Sequence, residues 1–156
     1  MGKPSKLVAY AESSRLMRIN VTWGKETFKF NLYEELRINE DQITKEAKEH
    51  PSSYAFLNML LKKLILKVDE SKSLMEKSWS REYAKYKQKI NPDTNRPYND
   101  DLAKAKADTS PIVKERRSEY YSYKNDANIL EVAVKAFESR GSLIQTISAN
   151  IRNDNK

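Results

Sequence analysis

The residues that could carry chemistry do not form a catalytic set. The chain has no cysteine and one histidine, His50, which excludes a thiol nucleophile and a cluster of Cys and His metal ligands. Its three glycines stand far apart, so they cannot form a glycine-rich phosphate loop. Two acidic pairs, Glu34-Glu35 and Asp100-Asp101, lie beside helix starts or in polar segments, where carboxylates cap helices or face solvent. We therefore expect no enzyme, no catalytic residue, no metal and no cofactor, and we interpret His50 as a surface residue at a helix break.

Positive charge gives a clearer signal than the acids. Lys and Arg number 29 against 22 acidic residues, which gives a net charge of +7 and a pI near 9.4. The excess is concentrated in residues 51–90, which carry nine basic and four acidic side chains. There Lys77, Arg81, Lys85 and Lys89 recur every four residues, so a helix would place them in one stripe. Such a stripe favours a polyanionic partner.

Aromatic side chains are interleaved with this basic stripe. Cations hold phosphates and aromatic rings stack on bases, so the combination is typical of proteins that bind single-stranded nucleic acid. Two other interpretations stay open, because lysine stripes also form solvated helix faces and Trp79 and Tyr83 also fit the apolar seam. The candidate nucleic-acid-binding residues are Lys77, Arg81, Lys85, Lys87, Lys89, Tyr83, Tyr86, Arg116 and Arg117.

Two long helices must position these residues. Apolar side chains recur at steps of three and four along residues 54–75 and 113–151, which predicts long helices over about 51–90 and 111–152. A short helix over 40–49 precedes them, because Pro51 disfavours helical geometry at His50. Folding the chain about the polar connector places Gly141 opposite Leu61, and Ile144 opposite Leu57. At Gly141 the missing side chain would let the two backbones approach closely.

A β-hairpin precedes the helices. Residues 16–32 alternate polar and apolar side chains on both sides of Gly24-Lys25, a pair suited to a type II′ turn. That turn pairs Trp23 with Glu26, and the apolar pairs are Val21 with Phe28, Ile19 with Phe30, and Met17 with Leu32. We predict a mainly α fold: a long antiparallel, coiled-coil-like helical hairpin (37–156) with a small N-terminal β-hairpin region (1–36).

The second long helix has more apolar surface than one partner helix covers. A further apolar stripe runs beside its seam, so the β-hairpin or another subunit should cover it. Because an isolated two-stranded hairpin is marginal as well, we expect a homo-oligomer larger than a dimer. No apolar run approaches a membrane span, and the N-terminus lacks a secretory apolar segment, so we expect no membrane partner. The stripe residues are Ile129, Ala133, Ala136, Leu143 and Ile147.

The helical part of the chain resembles the UvsY-like recombination mediators of bacteriophages. The resemblance rests on "AVKAFESRGSLIQTISANIR" (133–152), with its Ser-Arg-Gly before an isoleucine-rich turn, and on residues 43–86. The latter run from a short acidic helix through a proline-bounded start to a long helix with a basic and aromatic end. Together these segments cover about Ile43 to Arg152.

The resemblance implies a non-enzymatic, helical, homo-oligomeric protein of the host cell cytoplasm. Such mediators bind single-stranded DNA, loosen the single-strand-binding protein and help load a RecA-type recombinase. It also implies that Lys77, Arg81, Lys85, Tyr83 and Tyr86 contact DNA, and that Arg140-Gly141 serves helix packing and assembly. The alternative function is a coiled-coil interaction protein, such as a phage assembly scaffold or a prefoldin-like holdase.

Overall fold

The computed structural model describes residues 6–154, which are mainly helical. Short 3₁₀ turns cover Arg15–Met17 and Glu40–Gln42. The predicted combination of long helices with a small N-terminal β-hairpin is confirmed. In chain order the elements are α1 (Lys6–Ser13), β1 (Arg18–Trp23), β2 (Glu26–Asn31), α2 (Leu32–Leu36), α3 (Ile43–Lys87), β3 (Ile90–Asn91), β4 (Arg96–Pro97), α4 (Asp100–Thr109) and α5 (Pro111–Asp154).

Two compact units divide the described chain. Unit 1 contains the residues up to Lys63 together with those from Asp126 onward, and unit 2 contains Leu64–Asn125. Unit 1 therefore holds the β-hairpin, the first part of α3 and the last part of α5. Unit 2 holds the rest of both long helices with β3, β4 and α4. The boundaries between these units fall within the long helices. The predicted division into 1–36 and 37–156 stays a prediction.

The β-hairpin forms as its turn chemistry predicts. Three of the predicted pairs are confirmed: Trp23 with Glu26, Val21 with Phe28, and Ile19 with Phe30. Gly24 has a φ of 63° and Lys25 does not adopt a positive φ, as a type II′ turn requires. The fourth predicted pair, Met17 with Leu32, is wrong. Met17 ends a 3₁₀ turn before β1, and Leu32 begins α2 after β2.

The hairpin is anchored to α3 within unit 1. The rings of Phe28 and Phe56 meet edge to face with centroids 5.2 Å apart. Ile19 and Val21 on the same face of the hairpin are buried. The hairpin thus gains the helical support that two strands need in water.

The predicted helix break at Pro51 is wrong. Helix α3 runs without interruption from Ile43 to Lys87 and contains Pro51. A proline inside a helix removes one backbone hydrogen bond and costs about 3 kcal/mol. Contacts on its N-terminal side offset this cost, because Glu46 and His50 both bond to Arg140 of α5. Tertiary packing therefore overrides the local preference against a helix.

The antiparallel alignment of the two long helices differs from the prediction. In unit 2, the Ser110 hydroxyl donates to Glu82 of α3 at 3.1 Å, so α5 begins beside the last turns of α3. The connector is not a simple loop, since β3, β4 and the ten-residue α4 occupy it. In unit 1, the side chain nearest to Gly141 belongs to His50 rather than to Leu61. The predicted pairing of Leu61 with Gly141 is therefore wrong, although Leu61 and Ile144 are both buried.

Candidate nucleic-acid interface

One row of cations on the unit 2 part of α3 is open to solvent. Lys77, Arg81 and Lys85 are all exposed, and helical geometry spaces them by about 6 Å along the axis. Within residues 6–154, Lys77 and Arg81 form no ion pair. Lys85 pairs with Glu82 at 3.3 Å on its own helix, where the Lys85 side chain is 51% exposed and that of Glu82 is 13% exposed. We call these three residues the free cation row.

A second row lies about 200° around the same helix from the free cation row. The rings of Trp79 and Tyr83 stack with centroids 5.3 Å apart and an interplanar angle of 4°. Lys87 continues this row by one further turn. These three residues face α4, because each contacts a carboxylate of that helix, and the Lys87 side chain keeps 40% of its surface exposed. We call them the covered row.

Asp100, at the start of α4, binds one end of the covered row. Its carboxylate accepts a hydrogen bond from the Tyr83 hydroxyl and lies 3.7 Å from the ammonium of Lys87. Lys104, one turn along α4, lies 2.6 Å from the same carboxylate. The hydrogen bonds from Lys104 and Tyr83 lower the pKa of Asp100 to about 2. The hydrogen bond from Tyr83 to Asp100 raises the pKa of Tyr83, and the hydrogen bond from Lys104 to Asp100 raises the pKa of Lys104.

Asp108, in the last turn of α4, binds the other end of the covered row. One carboxylate oxygen accepts a hydrogen bond from the Trp79 indole at 3.1 Å and another from the Arg117 guanidinium at 2.8 Å. Trp79 and Arg117 also line a depression of about 210 Å³ with Met75 and Val113. The carboxylate therefore joins α3, α4 and α5 at one point.

The remaining candidates are divided between solvent and local contacts. Lys89 lies 5.6 Å from the centroid of the Tyr86 ring, which in turn meets Tyr98 edge to face at 5.8 Å. Arg116 pairs with Glu119 on its own helix at 2.9 Å. The structure therefore separates the nine candidates into the free cation row, the covered row with Arg117, and these locally paired residues.

Unit 1 contains a different polar cluster around Arg140, whose side chain is 9% exposed. Its guanidinium bonds to the carboxylate of Glu46 and donates to Nδ1 of His50 and to the carbonyl oxygen of Arg37, both at 3.1 Å. Its Nε has no hydrogen-bond partner among the described residues. Arg140 thus fastens α5 to α3 and to the segment before it. The helix-packing role implied by the resemblance fits these contacts.

His50 is not the surface residue that its sequence context predicts. Its ring stacks on Phe137 and Tyr54, with centroids 5.9 and 6.2 Å away, and packs against Gly141. Because a guanidinium only donates, Nδ1 of His50 must accept and the neutral ring carries its proton on Nε2. Burial, and then the charge of Arg140, lower the pKa of His50, while Glu46 opposes the shift.

Sequence reasoning missed that carboxylates of α4 contact three of the nine candidates, Tyr83, Lys87 and Arg117. The sequence pattern places Asp100 beside a helix start, where a carboxylate caps the helix or faces solvent, and it assigns no role to Asp108. Asp108 follows Asp100 by eight positions, which on a helix places the two carboxylates about two turns apart along the axis and about 80° apart around it. That spacing was the available signal, but it does not reveal which helix the carboxylates contact.

The described residues include no group of three His, Cys, Asp or Glu side chains that could hold a metal ion. None of the helices in residues 6–154 is long and apolar enough to cross a membrane. Compared with known proteins, the chain matches no protein-family model, no curated protein and no solved structure.

Proposed function

We propose that this chain is a non-enzymatic recombination mediator that binds single-stranded DNA and helps load a RecA-type recombinase. It would act on DNA covered by single-strand-binding protein, as a homo-oligomer in the host cell cytoplasm. The observation that carries the proposal is the free cation row, in which Lys77 and Arg81 have no acidic partner among the described residues. The resemblance to the UvsY-like mediators supplies the recombination context.

The chemistry of the row favours phosphate contacts over base contacts. Lysine and arginine on an exposed helix face offer long, mobile cations that neutralise phosphates irrespective of sequence. The nearby rings of Trp79 and Tyr83 are stacked on each other and bonded to α4, so they do not belong to this row. We therefore propose that binding through the row is strongly salt-dependent and shows little base preference.

A triple substitution tests the row. Lys77→Ala, Arg81→Ala and Lys85→Ala together should weaken binding to a labelled oligothymidylate and to a mixed-sequence strand by similar factors. The log–log dependence on salt should flatten by about 0.7 per lost contact, because fewer counterions are released. The matched control replaces Lys62, Lys63 and Lys72, which are exposed on the same helix, and removes the same charge. The control should keep most of the affinity and slope.

Mediator activity needs a separate measurement. The protein should restore strand exchange by a RecA-type recombinase on DNA saturated with single-strand-binding protein, and the triple variant should not. If the parent protein shows no salt-dependent affinity for single strands, the proposal is wrong. In that case the long paired helices would favour the alternative function, which is a coiled-coil interaction protein such as a phage assembly scaffold or a prefoldin-like holdase.

A further inference from the structure

Helix α4 carries an acid near each end, and both acids bind groups that suit a nucleic acid. Asp100 contacts Tyr83 and Lys87, and Asp108 contacts Trp79 and Arg117. Two aromatic rings and two cations are thus occupied by carboxylates of the same chain. All of these contacts lie within unit 2.

These carboxylates occupy the positions that phosphate oxygens would take. A carboxylate and a phosphate both accept charge-assisted hydrogen bonds from guanidinium and ammonium groups. The indole N–H and the phenol O–H can donate to either anion. A single strand that reached the covered row would therefore compete directly with Asp100 and Asp108 for the same donors.

The attachment of α4 to α3 and α5 is weak enough to open. The only side chains of α4 that are fully buried are those of Ala103 and Ala107, which bury little apolar area. The side chains of Lys87, Asp100 and Asp108 are 40–51% exposed, and pairs of such groups contribute little net stability. The flanking strands β3 and β4 have two residues each. Elements with few apolar contacts and exposed hydrogen bonds open locally before the core does.

We propose that α4 is an exchangeable acidic strap that closes a second nucleic-acid subsite, formed by Trp79, Tyr83, Lys87 and Arg117. A single strand displaces Asp100 and Asp108, its phosphates bind Lys87 and Arg117, and its bases stack on the freed rings. This inference rests on the proposed function, since the same strand must also bind the free cation row. The closed strap lowers the apparent affinity, because only the open fraction of molecules offers the whole surface.

Neutralising the strap without changing its shape tests the inference. Asp100→Asn with Asp108→Asn should bind an oligothymidylate about fivefold more tightly than the parent, because the competing charges are lost. The matched control is Asp93→Asn with Asp101→Asn, exposed acids of the same connector whose loss changes the net charge equally. The control should stay within about twofold of the parent, because exposed charges that make no direct contact are screened by salt. Equal affinities of the two double variants would overturn the strap.

Two measurements on the unaltered strap keep the test independent of how well the variants fold. In a Trp23→Phe background, Trp79 is the remaining tryptophan, and its fluorescence should change when the strand binds. Amide hydrogen exchange in α4 should become faster in the DNA complex. If DNA binds through the free cation row while α4 exchange is unchanged or slower, the strap is wrong and the proposed function stands. If the parent and the Asp100→Asn/Asp108→Asn variant both fail to bind, both proposals are wrong.

Discussion

Gly141 of α5 lies against the imidazole of His50 on α3. A Cβ atom built on Gly141 would be 2.6 Å from Nε2 of His50, a distance that real Cβ atoms essentially never show to a non-bonded atom. The ring cannot easily move aside, because Phe137 and Tyr54 stack on it and Arg140 bonds to its Nδ1. Gly141 therefore packs against one specific side chain, that of His50. Helix propensity alone would favour a residue other than glycine at this position.

Gly141→Ala should destabilise the protein although alanine favours a helix. We expect a loss of about 1–3 kcal/mol from overpacking, reduced by the gain of up to about 1 kcal/mol in helix propensity. Denaturant unfolding followed by circular dichroism measures the change. In a His50→Ala background the clash is absent, so the same Gly141→Ala change should stabilise the protein. A loss of equal size in both backgrounds would show that His50 is not the cause.

The pH dependence of stability should also identify His50. Its pKa in the folded state lies below the usual value of 6.5, because of burial and the charge of Arg140. Well above pH 6.5 the ring is neutral in both states and contributes no pH dependence. As the pH falls below that value, the unfolded state binds the proton first, so stability decreases until the folded pKa is reached.

The single histidine makes this effect separable from other titrations. The free energy of unfolding should be lower at about pH 6 than at about pH 8, where the ordinary carboxylates are ionised throughout. His50→Gln should remove most of that difference. An unchanged difference in the variant would assign the pH dependence to another group.

Pro51→Ala should stabilise the protein, because α3 is continuous through this position. Alanine restores the backbone N–H that can donate to the carbonyl of Ala47, and it relieves the steric conflict of the ring. We expect a gain of about 1–3 kcal/mol in the free energy of unfolding. Pro111→Ala is the matched control, since Pro111 begins α5 and proline is favoured there. Its effect should be neutral or slightly destabilising. A stability loss in Pro51→Ala would mean that the proline constrains a useful local geometry.

The elements were predictable from the sequence where the pattern is local. The strand register follows from the Gly24 turn, and the seam residues Leu57, Leu64 and Phe137 are buried as their heptad spacing predicts. The interruption at Pro51 was predicted wrongly, because the contacts that offset its cost come from Arg140, far along the chain. The conformational preference of residues next to Pro51 carries no information about contacts from a distant part of the chain.

The candidate site was predictable only in part for the same reason. The four-residue spacing places Lys77, Arg81 and Lys85 in one exposed row, whereas Lys89, expected in the same stripe, lies beyond the end of α3 at Lys87. The spacing could not show that Asp100 and Asp108 bind Tyr83 and Trp79, since that depends on how α4 packs on α3. It also could not place His50 against Gly141, because that contact depends on how α5 packs on α3 within unit 1.

We expect self-association through exposed apolar side chains on unit 1. On α5, Val132 and Leu143 are 63% and 56% exposed, and on α3, Met59 is 67% exposed. Leu143 belongs to the apolar stripe that the sequence predicts to need covering, and Val132 lies beside it. Within the described chain nothing covers these side chains, and a second copy would bury them. The expected assembly is larger than a dimer, which light scattering at micromolar concentration measures.

Val132→Glu should dissociate the expected assembly, because it places a charge among the exposed apolar side chains of α5. Gln145→Glu is the matched control: it adds the same charge to α5 on an exposed position about 140° around the helix. The control should keep the molecular mass of the parent, and both variants should keep its helix content, since both positions lie outside the buried seam. Dissociation of both variants would point to charge repulsion instead of this surface. A parent protein that is already monomeric would show that the stripe is not an interface between copies.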